Sequence, residues 1–223
     1  MTLPAPGVVE SVNIGVLRVV PWTQSVGSTG IDKRPVPGRV RAEGVGLVGD
    51  VIADTKNHGG YHQAVYAYAR EDAAWWAAEL DREVPFGAFG ENLSTSGVDC
   101  TGAVIGERWE VGSTVLEVSR PRIPCRTFAG FWDVPDLVKR FTRRAVPGAY
   151  LRIIEEGDLG AGDAVRIVHR PDHGVTIGEV FRALTGERSL APRLLDAPEL
   201  PPELQERARK LVTAASANSP QPS

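Results

Sequence analysis

Cysteine, methionine and lysine are all scarce in this 223-residue chain, which has two cysteines, one methionine and only four lysines. Two cysteines, Cys100 and Cys125, cannot make a disulfide framework, nor can they supply the ligands of an iron–sulfur cluster. No Rossmann fingerprint for nicotinamide or flavin opens a helix anywhere in the chain. No apolar run approaches membrane-spanning length, so no membrane partner is expected. Met1 to Glu10 lacks a basic stretch followed by an apolar one, so no signal peptide is evident. The expected compartment is the cytoplasm, where both thiols stay reduced. A formal charge of -3 lacks the basic excess of a nucleic-acid binder, and no nucleic-acid partner is expected. Internal repeats, heptads and long low-complexity segments are also missing. The basic residues are almost all arginines, which suit planar or phosphate anions but also follow genome composition.

What remains is an ordinary globular composition, with 42% hydrophobic and 24% charged residues. Alternating apolar residues predict strands over Ser11–Val20, Val45–Ile52, Gln63–Tyr68, Ala103–Glu110, Thr114–Val118, Ala149–Glu155 and Ala164–His169. Pro21 to Gly44 is rich in Gly, Pro and Ser, and reads as loop with a short strand around Val40. Arg70–Leu80 reads as a helix anchored by Trp75 and Trp76, of which at most one can face the core. A short helix follows Pro135, with Leu137, Val138 and Phe141 on one face. The pattern changes at Arg170. Thr176 and Glu179 have capping-box spacing before a helical run, and a second helix starts at about Pro201. The expected organisation is a mainly β domain over residues 1–169, a helical appendage over 170–215 and a disordered tail over 216–223. Many short strands joined by Gly-rich turns indicate a closed or nearly closed β-barrel with a few short helices.

The segment Arg120-Pro121-Arg122-Ile123-Pro124-Cys125-Arg126 carries the clearest chemical signal. Its prolines force an extended path that delivers Cys125 to one place. Arg120, Arg122 and Arg126 flank the thiol, and guanidinium groups stabilise the thiolate, the nucleophilic and metal-binding form. A buried structural cysteine is the alternative.

Other candidates are more open. Lys33 in Asp32-Lys33-Arg34-Pro35 is an anion ligand or a solvated loop lysine. Lys56-Asn57-His58-Gly59-Gly60-Tyr61-His62 offers a glycine pair whose N–H groups can approach an anion, flanked by Lys56 and His58. His58 and His62 are four apart, but the glycines between them oppose a helical zinc pair. Glu91 and Asn92 either orient a ligand or satisfy backbone groups of their own turn.

In order along the chain, Thr29-Gly30-Ile31-Asp32-Lys33-Arg34-Pro35-Val36, Gly46-Leu47-Val48-Gly49-Asp50, His58-Gly59-Gly60, Phe89-Gly90-Glu91-Asn92-Leu93, Pro121-Arg122-Ile123-Pro124-Cys125 and Gly148-Ala149-Tyr150-Leu151-Arg152 resemble the MOSC family. MOSC stands for molybdenum cofactor sulfurase C-terminal domain, and the similarity is to its bacterial YiiM-like branch. The resemblance implies a MOSC-type β-barrel with a small three-helix C-terminal appendage and a cleft for the molybdenum cofactor. It implies that Cys125 binds molybdenum as a thiolate or carries sulfur as a persulfide. Arg122, Lys33, Lys56, His58 and the Gly59-Gly60 amides become candidates to cradle the cofactor phosphate, with Glu91 and Asn92 beside them. The implied activity is reduction of N-hydroxylated small molecules, with electrons from a separate reductase; a homodimer is compatible with it. The alternative is a sulfur carrier without molybdenum, and a third reading is a cofactor-binding module without turnover. Where relatives often carry a carboxylate after His-Gly-Gly, this chain has Tyr61-His62, which puts a site role for that position in doubt.

Overall fold

A computed structural model describes residues 4–23, 27–55 and 58–217. The chain opens with β1 (Gly7–Gly15), the ribbon strands β2 (Arg18–Val19) and β3 (Ser28–Thr29), and β4 (Lys33–Pro35). A hairpin of β5 (Arg39–Glu43) and β6 (Gly46–Leu47) follows, then a 3-10 turn at Tyr61–Gln63. Next come β7 (Val65–Ala69), α1 (Arg70–Leu80), β8 (Leu93–Ser96), β9 (Arg108–Val111) and β10 (Thr114–Pro121). Two helices, α2 (Arg126–Trp132) and α3 (Leu137–Arg144), precede β11 (Ala149–Glu155), β12 (Gly157–Gly160) and β13 (Ala164–His169). The chain finishes with α4 (Ile177–Thr185), a 3-10 turn at Arg188–Leu190, α5 (Ala191–Leu194) and α6 (Pro202–Ala217).

Seven strands close a barrel in the order β13-β9-β10-β11-β7-β8-β1, and β1 pairs back onto β13 through Gly7 and Val8. Every pairing is antiparallel except β7 with β8, whose connection runs through α1. Closure pairs each of the seven barrel strands on both sides, and β4 is added to β1 at Asn13–Gly15. The barrel interior is aliphatic, with Val9, Val65, Leu93, Leu116, Val118 and Leu151 all buried.

A second, aromatic core fills the space between β7 and α1–α3. Tyr68 stacks on Phe89 at 4.1 Å, Phe89 meets Trp132 at 4.9 Å, and Phe128 meets Phe141 at 5.2 Å. Of the tryptophan pair, Trp76 is 1% exposed in this core and Trp75 is 37% exposed, so one of the two faces inward as the sequence required. The C-terminal helices add Ile177, Val180, Leu194 and Leu204 to the aliphatic core and Phe181 to the aromatic one. The capping box at Thr176 is formed: its hydroxyl accepts from the Glu179 N–H at 3.2 Å, and the Glu179 carboxylate accepts from the Thr176 N–H at 2.8 Å.

Several expectations are corrected. The strand expected over Ala103–Glu110 is only Arg108–Val111, because a turn closed by the Glu107 N–H on the Val104 carbonyl at 2.9 Å precedes it, and the strand expected over Val45–Ile52 is only Gly46–Leu47. The first strand was expected over Ser11–Val20 but ends at Gly15, where the chain runs so close to Gly30 and Asp50 that a Cβ would lie 2.6 Å from the Gly30 carbonyl. The extended path expected to deliver Cys125 is present, and Cys125 is its last residue; the helix α2 that follows was not expected, because its buried Phe128 and Trp132 give only a one-turn apolar repeat hidden by the prolines upstream. Between the expected strands Ala149–Glu155 and Ala164–His169, where no strand was expected, Gly157–Gly160 forms β12, paired with β5. Lys56 and residues 218–223 of the expected tail lie outside the described residues. Among the described residues no helix is long and apolar enough to cross a membrane.

Candidate functional site

A cleft beside the aromatic core takes its walls from the β3–β4 connection, the Asp50–Asp54 segment, His58-Gly59, and the segment from Arg122 to Thr127. It encloses about 860 Å³ with its open mouth included, within the size of small-molecule sites. Two glycines pack tightly in its wall: Gly59 has φ +77° and a Cβ there would lie 2.7 Å from Ile52 Cδ1, and a Cβ on Gly30 would lie 1.9 Å from the Val51 carbonyl oxygen.

Cys125 lines this cleft, half-buried. β10 ends at Pro121, and Cys125 has an extended backbone immediately before the first turn of α2. Burial pushes its thiol up. A hydrogen bond from the His58 side chain and the charge of Arg122 outweigh burial, aided by the Phe128 N–H, which acts on the sulfur without closing a full capping bond. The net result is a thiol lowered to about 7, so a large share is thiolate near neutral pH. Cys100 is the opposite case. It is wholly buried beside Thr95, and burial pushes its thiol up to about 12.

Among the arginines flanking Cys125 in sequence, Arg122 lowers the thiol through its charge. Arg120 pairs with Glu203 of α6 at 2.8 Å, on another side of the wall. Arg122 is 5% exposed and packs on the aromatic core, its Cζ 4.1 Å from the Phe128 ring centroid and 5.8 Å from that of Phe141. Aromatic faces offset part of the cost of burying a cation. Its Nη1 is buried without a hydrogen-bond partner among the described residues. A buried charged donor left unpaired is costly, so this N–H is poised for an anionic group in the cleft.

Lys33 also lines the cleft, but its charge is already balanced. Its Nζ donates to both oxygens of Asp50, at 2.6 and 2.5 Å, and both side chains are buried. Burial pulls the Lys33 pKa down, against the opposing pull of Asp50. Asp50 further accepts from the Gly15 N–H at 2.7 Å and from Asn92 Nδ2 at 2.9 Å. Asn92 in turn accepts the Tyr66 N–H at 3.1 Å, so it ties β7, β1 and Asp50 together in the cleft wall, which it lines.

Glu91 is buried but does not line the cleft. Its carboxylate accepts from the Gly87 N–H at 2.7 Å, the Phe89 N–H at 2.9 Å and Ser94 Oγ at 2.7 Å. Burial raises its pKa and these three bonds oppose the rise. The loop it fixes passes so close to Lys33 that a Cβ on Gly87 would lie 2.1 Å from the Lys33 carbonyl. Glu91 therefore satisfies backbone groups of its own turn, whereas Asn92 both bonds backbone groups and lines the cleft. Gly60 caps the 3-10 turn at Tyr61–Gln63 and is not part of the cleft wall.

His62 faces away from the cleft. Its Nδ1 lies 3.3 Å from Arg152 Nη1, and Arg152 also binds the Glu117 carboxylate. Burial and the Arg152 charge lower the His62 pKa. Neither Tyr61 nor His62, where relatives often carry a carboxylate, lines the cleft. No group of three or more His, Cys, Asp or Glu among the described residues is arranged to hold a metal ion by itself.

Sequence reasoning missed three contributors: His58 as the thiol's partner, Asp50 as the hub of the wall, and the aromatic bed of Arg122. His58 and Asp50 stood within the quoted motifs, but only the fold brings them together with Cys125 and Lys33.

The MOSC domain profile matches residues 54–166. The chain is 32% identical to the Bacillus subtilis protein YflK over 169 residues, covering 76% of each. It is 30% identical over 202 residues to a Gibberella moniliformis protein named reductase, covering 89% of this chain and 36% of that longer one. It superposes on the crystal structure of YiiM from Geobacillus stearothermophilus with a TM-score of 0.77 and 25% identity, covering 93% of this chain and all of the other.

Proposed function

The chain belongs to the MOSC domain family, and from that premise we propose that it binds the molybdenum cofactor in the cleft beside Cys125 and reduces N-hydroxylated small molecules there. One observation carries this reading: a thiol lowered to about 7 and a buried, unpartnered guanidinium N–H share one cleft. The residues fit such a group. A thiolate is a soft ligand suited to a redox-active metal, and Arg122 Nη1 is a charge-assisted donor for an anion. Lys33 contributes less than its sequence position suggests, because Asp50 neutralises it.

In this assignment Cys125 is the protein ligand to molybdenum, and Arg122 with the Gly59 region holds the anionic part of the cofactor. When bound, the cofactor supplies two-electron oxygen-atom chemistry at a site where the protein has positioned the substrate. The overall change is R–NHOH plus two electrons and two protons to R–NH2 plus water. The electrons come from a separate reductase protein. The fungal relative named reductase supports the redox class, and most of its length has no counterpart here. His58 holds Cys125 as thiolate before the metal arrives, and the Asp50–Lys33 pair keeps the opposite wall rigid.

The test is reduction of a hydroxylaminopurine by cofactor-loaded protein with a chemical electron donor. The wild type is expected to form the aminopurine and Cys125→Ser to form none, because a hard, un-ionised hydroxyl replaces a soft ligand. Wild-type turnover by Cys125→Ser overturns the assignment. Protein carrying one extra sulfur on Cys125 and no pterin supports the sulfur-carrier alternative instead.

A further inference from the structure

Three tyrosines stand close together on the strands behind the cleft, and their hydroxyls have different fates. Tyr66 Oη donates to the Pro147 carbonyl at 2.7 Å. Tyr68 Oη accepts from Trp76 Nε1 at 3.1 Å and reaches the Val146 carbonyl at 3.4 Å. Tyr150 sits on β11 directly opposite Tyr66 on β7, with ring centroids 4.9 Å apart. Its backbone carbonyl accepts from Ser119 Oγ at 3.1 Å, but no described residue bonds its hydroxyl. Tyr150 lines the cleft together with Arg122 and Cys125.

Tyr150 is partly buried and lines the cleft, and ring packing alone would be served by phenylalanine. Its hydroxyl, unbonded by any described residue, is therefore available to a ligand in the cleft. The ring's packing against Tyr66 and the paired strands restricts where the hydroxyl can go, so it forms a fixed donor and not a mobile one. Burial pushes the phenol further up from its ordinary range, opposed by Arg122, so the group keeps its proton.

We propose that the Tyr150 hydroxyl donates a hydrogen bond to the oxygen of the substrate's N–OH group, and so separates the N-hydroxylated compound from its deoxygenated product. This assignment rests on the N-hydroxy reductase reading above. It makes Tyr150 a substrate-binding residue and gives it no part in holding molybdenum. Arg122 is occupied by the anionic cofactor in that reading, which leaves a neutral donor to meet a neutral substrate.

The experiment compares binding of 6-hydroxylaminopurine and adenine, two ligands differing by one oxygen, to cofactor-loaded wild type and Tyr150→Phe by calorimetry. The variant keeps the ring, so molybdenum content, pterin content and melting temperature are expected to match the wild type. Its Kd for 6-hydroxylaminopurine is expected to rise roughly two- to tenfold, the range for losing one neutral hydrogen bond, while its Kd for adenine stays unchanged. Equal weakening of both ligands, no weakening of either, or loss of cofactor from the variant overturns the assignment. Wild type that binds the two ligands equally overturns the reductase reading along with it. Wild type that discriminates, beside a variant that discriminates as well, overturns the role of Tyr150 alone.

Discussion

Alkylating the two cysteines across a pH range isolates what the cleft does to Cys125. At pH 7 a thiol of pKa about 7 is about half ionised, whereas one of about 12 is ionised to roughly one part in 10⁵. A less acidic thiolate is intrinsically more nucleophilic, with a Brønsted slope of about 0.4–0.5, which returns roughly two orders of magnitude to Cys100. Cys125 should still react roughly 10²- to 10³-fold faster, before the full burial of Cys100 is counted. Iodoacetamide labelling of cofactor-free native protein, read by peptide mass spectrometry, gives both rates. The Cys125 rate should level off above an inflection at about 7. His58→Ala and Arg122→Ala should each move that inflection upward, because each removes a contribution that lowers the thiol. A wild-type inflection in the ordinary range near 8.5, or a Cys100 that reacts as fast, would refute the assignment of an activated thiol.

Arg122→Ala should weaken cofactor affinity about ten- to a hundredfold, the worth of one charge-assisted bond, as read by pterin retention in equilibrium dialysis; unchanged retention would remove Arg122 from the binding set. Lys33→Met should act mainly on stability. It leaves the buried Asp50 carboxylate without its counterion, a loss of about 3–5 kcal/mol in denaturant unfolding, and a loss below about 1 kcal/mol would contradict the neutralised-pair account. Thr176→Ala removes the capping hydroxyl of α4 and should cost about 1 kcal/mol by the same assay. A chain stopped at Arg170 loses Ile177, Val180, Phe181 and Leu204 from the two cores and should aggregate in light scattering; a monodisperse product with an unchanged melting temperature would refute this.

Periodic elements were readable from sequence because their signal is local. Arg70–Leu80, Ala149–Glu155 and Ala164–His169 stand where the pattern put them. Closure of the barrel followed from short strands with Gly-rich turns. The boundaries that failed were set by tertiary contacts: β1 ends at Gly15 because Asp50, 35 residues away, accepts its N–H. The α2 helix was hidden because its only strong cue is a buried Phe128–Trp132 pair following two prolines. In the site, Cys125 and Arg122 were legible because chain direction and charge mark them. Sequence proximity misled for Arg120, whose partner is Glu203. Lys33 reads as a free cation until the fold brings Asp50 to it. His58 and Tyr150 gain their meaning only through the strand order, since they lie 67 residues before and 25 residues after Cys125.

Molybdenum and pterin stoichiometry, measured on protein produced in a host that makes the cofactor, tests the central claim most directly. Elemental analysis and fluorescence of the released pterin are compared for wild type and Cys125→Ser. The account predicts close to one molybdenum and one pterin per wild-type chain. In the variant it predicts a much larger loss of molybdenum than of pterin, because Arg122 and the Gly59 wall remain. A wild-type protein that carries neither when the cofactor is plentiful, or a Cys125→Ser protein that keeps its molybdenum in full, would contradict it.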